Sequence, residues 1–285
     1  MKLIDIGVNL MDPSYDHDRE EVIKSAAEAG VSPLIITASG EQGSLNAALY
    51  AKKYNAVHPG SLYVKAGIHP HDAKKWGDGT VEFFRNLILE CSSQKSEKGS
   101  YGIVAIGECG LDYNRDFSPR DQQRKCFVKQ AELAAEFSLP LFLHERDAGQ
   151  DAGCPAFEDF SAILEDHIKS VPAVVVHCFT GTGDQLDYYL SLGCYIGITG
   201  WICDERRGSH LWDLVKKIPP ERLMIETDGP YLFPRDLPFK TKSKRNEPKY
   251  LPHITETVAR YLDKDPKILA SETYENTKAF FGIIE

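Results

Sequence analysis

Residues 103–144 read IVAIGECGLDYNRDFSPRDQQRKCFVKQAELAAEFSLPLFLH. This stretch opens and closes with short apolar runs, at 103–107 and 139–143, of the kind found in strands that are buried on both faces. Between them, residues 120–137 have the apolar spacing of an amphipathic helix. A strand, a helix and a second strand in this order predict a parallel βαβ unit.

The same alternation continues through the rest of the chain. Strands are predicted at 3–10, 33–37, 62–68, 103–107, 139–143, 173–177, 194–198 and 223–226, and helices at 19–29, 44–54, 81–89, 120–137, 158–168, 186–192, 211–217, 253–262 and 267–281. Two helix starts carry local signals, Ser118 as an N-cap before Pro119 and Asp265 before Pro266. Eight strands, each followed by a helix, predict an α/β fold, a single (β/α)8 TIM barrel that spans 1–285 as one domain.

Composition limits the class of protein. The chain has 285 residues, of which 42% are apolar, and a formal net charge of −9. The negative charge disfavours an extended nucleic-acid interface, although a local basic rim or a bound divalent metal ion is enough for a nuclease. Seven cysteines without a C-x-x-C pair are typical of a reduced, cytoplasmic protein. The sequence shows neither a signal-peptide pattern nor an apolar run near ~20 residues, so we expect no membrane association and infer no obligate protein partner.

Polar side chains stand at the ends of four predicted strands. Active sites of (β/α)8 barrels lie at the carboxyl ends of the strands, so residues that follow apolar runs are candidates. Two imidazoles with carboxylates suit a divalent ion such as Zn²⁺ or Mn²⁺, and also Mg²⁺ where carboxylate and water dominate. A single histidine at a strand end is more often a hydrogen-bonded wall residue, but four ligand types on one barrel favour a metal site. The four candidates are Glu108, His144, His177 and Asp228.

Neighbouring polar residues receive other interpretations. His69 and His71 lie past the third strand, in GIHPHD, where a contact with substrate phosphate is expected. Glu226 and Asp228 are two residues apart, so we expect them on one side of the strand, with Thr227 on the other. Cys109 and Cys178 adjoin candidate ligands and are interpreted as structural. For the histidines in helices and connections a solvated surface role is expected; these are His17, His58, His167, His210 and His253.

Several segments resemble the TatD family of metal-dependent nucleases. They are GIHPHD (67–72), IGECGLDYNR (106–115), LPLFLHERDA (139–148), VVHCFTG (175–181), YIGITG (195–200), LMIETDGPYL (223–232) and RNEP (245–248). The resemblance implies an amidohydrolase-like TIM barrel and phosphodiester hydrolysis of DNA, as a 3′–5′ exonuclease on single strands, with RNA as a further substrate. It also implies a divalent cofactor, Mg²⁺ for activity with Mn²⁺ or Zn²⁺ as alternatives, held by Glu108, His144, His177 and Asp228.

The first strand departs from the family pattern. Many members carry D-x-H-x-H there, and two histidines bind one metal of a pair. Here Gly7 and Asn9 stand at those positions, in the string IGVNL, which also begins a branch of the family. The departure leaves the second metal site without its histidines. We therefore expect one tightly bound ion, and a second that binds weakly.

The expected mechanism is metal-assisted hydrolysis, in which Asp228 orients or deprotonates the attacking water. Candidate phosphate contacts are His69, Arg146 and Arg206. A basic stretch follows the eighth strand and is either a substrate contact or a solvated loop; it contains Lys240, Lys242, Lys244 and Arg245. Four aromatic residues after strand ends either stack on an unpaired base or pack over the barrel; they are Tyr113, Phe179, Trp201 and Tyr231.

Two other functions remain open at this point. The same ligands would serve a barrel metallohydrolase of a small-molecule ester or amide. A barrel that has lost catalysis would act as a nucleic-acid-binding protein, and the missing H-x-H pattern is the feature that favours it. The presence of Glu108, His144, His177 and Asp228 favours an enzyme.

Overall fold

A computed structural model describes residues 1–93, 102–147 and 156–283. Within these ranges eight parallel strands are hydrogen-bonded in chain order, each to the next. The strands are β1 (Leu3–Val8), β2 (Val31–Thr37), β3 (Leu62–Ala66), β4 (Ile103–Asp112), β5 (Leu141–Arg146), β6 (Val174–Val176), β7 (Tyr195–Ile198) and β8 (Leu223–Ile225). The chain has the (β/α)8 TIM-barrel fold that the alternation of strands and helices predicts.

Helices follow the strands within the same ranges. They are α1 (Arg19–Glu28), α2 (Gly40–Asn55), α3 (Thr80–Ser93), α4 (Arg120–Phe137), α5 (Ala156–His167), α6 (Gly183–Ser191), α7 (Leu211–Leu214), α8 (Leu251–Tyr261) and α9 (Pro266–Phe281). The Asp265 carboxylate accepts a hydrogen bond from the Lys267 amide at 2.7 Å, so the predicted start of the last helix is confirmed. None of these helices is long and apolar enough to cross a membrane.

Two local predictions were wrong. The fourth strand does not end near residue 107 but continues to Asp112, because its polar half stays paired in register with β5. Ser118 is not the N-cap of α4, since Pro119 holds that position and no side chain caps it. The Ser118 hydroxyl instead accepts a hydrogen bond from the Lys74 amide and donates one to the His71 carbonyl. The Ser118 hydroxyl therefore bonds the backbone of the segment that contains His71 and Lys74, and not the first turn of α4.

Contacts group the chain into two units. The terminal unit comprises the described residues of Met1–Ile36, Cys178–Leu190 and Tyr195–Ile284, and the middle unit those of Thr37–His177 and Ser191–Cys194. In the middle unit β4 and β5 have fully buried apolar side chains, among them Ile106, Leu141 and Phe142. The six described cysteines are free thiols, and Cys154 lies outside the described residues.

Two glycines bring the backbone of β4 close to that of β5. Gly107 and Gly110 have φ angles of +146° and +133°, which L side chains rarely adopt. A Cβ atom at Gly107 would overlap the Phe142 carbonyl oxygen, and one at Gly110 would overlap the His144 carbonyl oxygen. These positions require glycine, and they fix the path of the strand that carries Glu108.

Candidate metal centre

In the middle unit, three imidazole nitrogens surround one carboxylate oxygen. Glu108 Oε1 lies 2.7 Å from His177 Nε2, 2.8 Å from His144 Nδ1 and 3.2 Å from His69 Nε2. The nitrogens of His177 and His144 that face this oxygen are 3.4 Å apart. Glu108 and His177 are buried, and His69 and His144 are half-buried. We call these four residues the histidine centre.

Successive strands position the histidine centre. Glu108 lies within β4 between the two close-packed glycines, and His144 lies within β5, opposite Gly110 in the register. His177 follows β6 directly, and its backbone amide donates to the Leu143 carbonyl at 2.9 Å. The sequence predicts convergence of Glu108, His144 and His177, and the structure brings these three side chains together.

His69, which the sequence predicts as a phosphate contact, joins them from the loop after β3, with Nε2 3.2 Å from Glu108 Oε1. The His71 backbone amide donates to His69 Nδ1 at 3.1 Å. A neutral His69 ring therefore carries its proton on Nε2, the nitrogen that faces Glu108. In this tautomer His69 is a hydrogen-bond donor at the centre, since its lone pair is already used.

The pKa values of the centre reflect both burial and the charges of neighbouring side chains. Burial alone raises the pKa of Glu108, but the neighbouring His177, His69 and His144 outweigh it and hold the pKa well below its usual range. Burial lowers the pKa of His144, yet hydrogen bonds to Asp112 and Glu108 raise it to about 9. For His69 burial prevails, and its pKa is lowered. Glu108 is thus an anionic carboxylate among imidazoles.

A second carboxylate, Asp112, was not predicted from the sequence; it faces the ring nitrogens of His71 and His144. The buried Asp112 Oδ2 lies 2.7 Å from His71 Nε2 and 3.4 Å from His144 Nε2. Burial raises the pKa of Asp112, but its hydrogen bonds with His144 and His71 outweigh it and place the pKa below the ordinary value. The signal was present in IGECGLD, where Glu108, Gly110 and Asp112 alternate on one face of a strand.

The centre fits a divalent cation. Donor atoms of a tetrahedral zinc-type site are about 3.3 Å apart at the usual bond lengths. The nitrogens and oxygen of the histidine centre have separations of 2.7 to 3.4 Å where they are in contact. Because Asp112 faces Nε2 of His144, the nitrogen that would bind an ion after losing its proton is Nδ1, which points toward Glu108; a carboxylate behind a histidine ligand is typical of metal-binding histidines.

Asp228 belongs to the terminal unit, where it is part of a hydrogen-bonded cluster. The Asn9 amide donates to Asp228 Oδ1 at 3.1 Å and to the Gly229 carbonyl at 3.2 Å. Asp5 is fully buried, and it accepts hydrogen bonds from the Gly7 amide and from both the amide and the hydroxyl of Thr227. We call Asp5, Asn9, Thr227 and Asp228 the aspartate cluster.

The alternation expected for Glu226, Thr227 and Asp228 does not hold. β8 ends at Ile225, and Asp228 has a φ of +55°, so the backbone turns before the third of these residues. Glu226 is fully buried and accepts a hydrogen bond from the Cys178 amide at 2.7 Å. Thr227, which was expected to point away, contributes its hydroxyl to Asp5.

The predicted phosphate contacts differ in exposure. Arg146 ends β5 two residues after His144 and is half-buried, whereas the Arg206 side chain is 71% exposed. Lys240, Lys242 and Lys244 are exposed. Arg245 was wrongly grouped with them. Its guanidinium bonds Asp18, Glu247 and the Ser14 carbonyl, so it serves as an anchor of the connection after β8.

Two of the four aromatic candidates pack inside the protein. Tyr113 and Phe179 are buried, and the Tyr113 hydroxyl lies 2.6 Å from Asp159 Oδ2, so for these two residues the structure favours packing, the second of the two alternatives. Trp201 is half-buried, with Arg207 over its ring at 4.6 Å. Tyr231 is 55% exposed. Cys109 is fully buried, and burial raises the pKa of its thiol, in line with a structural residue.

Comparison with known proteins gives matches over nearly the whole chain. The family described as TatD related DNase matches residues 4–282. A protein of Rahnella sp. (strain Y9602) named 3′-5′ ssDNA/RNA exonuclease TatD is 44% identical over 281 residues, which cover 99% of this chain and 98% of the relative. The protein of the same name from Escherichia coli (strain K12) is 43% identical, with 99% of both chains covered.

Solved structures show the same resemblance. A TatD homolog from Escherichia coli superposes with a TM-score of 0.82 at 25% identity, over 99% of this chain and 98% of the other. A TatD family hydrolase from Entamoeba histolytica also gives 0.82, at 26% identity and with the same coverage of both chains.

Proposed function

Because the chain belongs to the family of TatD-related DNases, and is therefore a nuclease that hydrolyses phosphodiester bonds, we propose that it is a metal-dependent 3′–5′ exonuclease of single-stranded DNA and RNA. The observation that carries the proposal is the histidine centre, in which one Glu108 oxygen lies within 3.2 Å of three imidazole nitrogens. The polarity of digestion and the choice of single strands rest on the names of relatives that are 43% to 44% identical over the full length.

In this proposal the ion is held by Glu108, His144 and His177. When bound, a divalent ion polarises the phosphoryl group and activates a water for attack on phosphorus. Two imidazole ligands beside one carboxylate favour Mn²⁺ or Zn²⁺ over Mg²⁺, which prefers oxygen ligands. The expected role of Mg²⁺ therefore depends on additional oxygens from water and substrate phosphate.

The side chains around the centre have separate proposed tasks. Asp112 holds the His144 ring in the tautomer that directs Nδ1 toward Glu108. His69 donates its Nε2 proton to a phosphate oxygen, because the His71 amide occupies its other nitrogen. Asp228 as a metal ligand and as the base for the attacking water remains a prediction. Its replacement by Asn, which keeps the shape and removes the charge, tests it.

The experiment uses metal-free protein and single strands of DNA and RNA labelled at one end. Adding back Mg²⁺, Mn²⁺ or Zn²⁺ singly should restore digestion, with 5′-labelled strands shortened stepwise and the label of 3′-labelled strands released first as a mononucleotide. The Glu108→Gln variant, matched in size, is the control that should stay inactive with every metal.

The same preparations separate the alternatives. If the protein hydrolyses lactones or amides in a metal-dependent way and leaves oligonucleotides uncleaved, it is a small-molecule hydrolase. Oligonucleotide binding without cleavage under any metal would favour a binding protein.

A further inference from the structure

Three side chains of different chemical kinds meet in the terminal unit, outside the aspartate cluster. Cys203 ends the short helical turn Gly200–Cys203 after β7, Asp236 lies in the connection after β8, and His253 is in the first turn of α8. One potential ligand atom from each lies within 4.8 Å of the other two. We call these residues the cysteine cluster.

His253 is not the solvated surface residue that the sequence predicts. Its side chain is only 13% exposed, and its Nε2 lies 2.6 Å from Asp236 Oδ1. Cys203 is buried, with 5% of its surface exposed, whereas the Asp236 side chain is 37% exposed. The cluster is therefore enclosed on the side of the thiol and open to solvent at the carboxylate.

A polar group borders the enclosed side of the cluster. Thr257 lies on α8, four residues after His253, and is 1% exposed. Burial and the Asp236 carboxylate raise the pKa of the Cys203 thiol, and a hydrogen bond with the Thr257 hydroxyl opposes them. The thiol of the ion-free cluster is therefore protonated, and an ion has to displace its proton.

The ligand types define the class of ion. Sulfur from Cys203 and nitrogen from His253 select a borderline-soft cation, and both disfavour Mg²⁺ and Ca²⁺. A thiolate, a carboxylate and a neutral imidazole carry two negative charges, which a divalent ion neutralises. In a tetrahedral zinc site such atoms are about 3.3 to 3.7 Å apart. The ligand atoms of the cysteine cluster lie within 4.8 Å of one another, so they need to move little to reach this spacing. The hydrogen bond of His253 to Asp236 would give way to two metal bonds.

We propose that Cys203, Asp236 and His253 bind a zinc-type divalent ion, with water in a fourth position. Binding releases the thiol proton to solvent. The three ligands come from the turn after β7, the connection after β8 and α8, so the ion joins three segments of the terminal unit that are distant in sequence. The connection after β8 also carries the exposed Lys240, Lys242 and Lys244. The site is thus structural. Through Asp236, the ion would fix the connection after β8 shortly before the three exposed lysines.

Cobalt titration tests the site in the full-length protein. Co²⁺ bound to a thiolate absorbs in the near ultraviolet, and imidazole and carboxylate ligands give no such band. The His144→Ala/His177→Ala variant removes the histidine centre and should still bind about one Co²⁺ with this band. Cys203→Ser in that background should abolish the band. Cys178→Ser is the matched control, because Cys178 adjoins His177, and the band should remain.

Asp236→Asn provides a second variant, at an exposed position where the fold is not at risk. It should weaken Co²⁺ and Zn²⁺ binding at least about tenfold and should remove most of the increase in Tm that Zn²⁺ produces. Absence of the band in the double variant overturns the proposal. Persistence of the band after Cys203→Ser, or an unchanged affinity after Asp236→Asn, does so equally. If Cys203→Ser does not fold, the Asp236→Asn result decides alone.

Discussion

The histidine centre and the aspartate cluster both join polar side chains that are buried or half-buried, but their hydrogen bonds are arranged differently. In the histidine centre, one oxygen of Glu108 faces three imidazole nitrogens within 3.2 Å. In the aspartate cluster, Asp5 accepts two backbone amides and a hydroxyl, and Asn9 donates to Asp228. In the histidine centre three ring nitrogens compete for one carboxylate oxygen. In the aspartate cluster each donor has an acceptor on a side chain or a backbone group.

This difference indicates where a cation adds most. The ring nitrogens of His144 and His177 that face Glu108 can coordinate an ion once they release their protons, and the Glu108 carboxylate supplies a negative charge. Asp5 and Asn9 already have partners, so an ion would have to displace hydrogen bonds and would gain little. A neutral amide at residue 9 also supplies less charge than a carboxylate. The histidine centre is therefore the expected position of the tight ion, and the following experiments can break or sharpen this contrast.

The largest effect is expected from His144→Ala. Removing a nitrogen donor from the histidine centre should lower metal-dependent nuclease activity by about a thousandfold or more, as for other groups that the chemistry requires. Thermal unfolding should change little, since His144 contributes to the centre more than to the core. His167→Ala is the control, because that ring bonds the Ile163 carbonyl of its own helix and is not part of the histidine centre. Near-normal, metal-dependent turnover in His144→Ala would show that the centre is misassigned.

Asp112→Asn should have the next largest effect. The neutral amide cannot hold the His144 and His71 rings as the carboxylate does, so metal affinity should fall by about 10-fold to 100-fold. Calorimetric titration of metal into the free protein measures this change without reference to turnover. Asp121→Asn, on the exposed face of α4, should bind metal normally. An unchanged affinity in Asp112→Asn would remove Asp112 from the support of the centre.

The strand-one departure can be reversed by Gly7→His/Asn9→His. Both positions precede Asp228 in the same unit, and Asn9 already contacts that carboxylate, so two imidazoles there should create a further nitrogen and oxygen site. The count is made in Asp236→Asn protein, which excludes the cysteine cluster. We expect about one tight equivalent before the double change and two after it. Two tight equivalents before the change would mean that the aspartate cluster binds an ion without added histidines.

A smaller effect is expected at the exposed cations after β8. If Lys242 and Lys244 contact phosphates, replacing both by Gln should reduce the slope of log affinity against log salt by about 0.7 for each, on single strands. Binding of an oligonucleotide to the Glu108→Gln protein at several salt concentrations gives the slope. Lys52→Gln/Lys53→Gln on α2, also exposed, is the control. Equal slopes in all variants would show that the two lysines belong to a solvated loop and do not contact phosphates.

The smallest effect concerns Asp5 and protein stability. Burial raises the pKa of Asp5 to about 7 from 3.8, against the opposing hydrogen bonds from Thr227 and Gly7. The folded protein therefore keeps a proton that the unfolded chain loses near pH 4. That contribution to stability is complete below about pH 4 and is lost as the pH rises through about 7.

Asp5→Asn should flatten the decrease in Tm between about pH 4 and pH 7 by a few degrees, because the amide does not ionise. Scanning calorimetry across this range, with Asp166→Asn on α5 as the surface control, measures the change. An equal decrease in both variants would show that Asp5 is ionised when folded.

Much of the fold follows from local patterns. The bounds of α4, Arg120–Phe137, are those predicted, because its apolar spacing is regular. β4 was predicted five residues too short. Its second half is polar where it carries the site, and polar residues interrupt the apolar run by which a buried strand is recognised.

The site is predictable only in part. The placement of Glu108, His144 and His177 after apolar runs sufficed to group them. The role of Arg245 did not follow from its basic neighbours, because its partner Asp18 lies 227 residues away in the chain. His253 was missed for the same reason, since Asp236 and Cys203 come from other segments. Contacts between distant segments are the part that a single sequence leaves open.

The two close-packed glycines of β4 also set limits for anyone who would redesign this enzyme. A scan of all substitutions should show Gly107 and Gly110 as positions that tolerate almost nothing, since any side chain would overlap a carbonyl of β5. Changes are more readily made at half-buried side chains of the same unit, such as Arg146 at the end of β5. The strand that bears Glu108 is a fixed frame, and the side chains around it are the variable part.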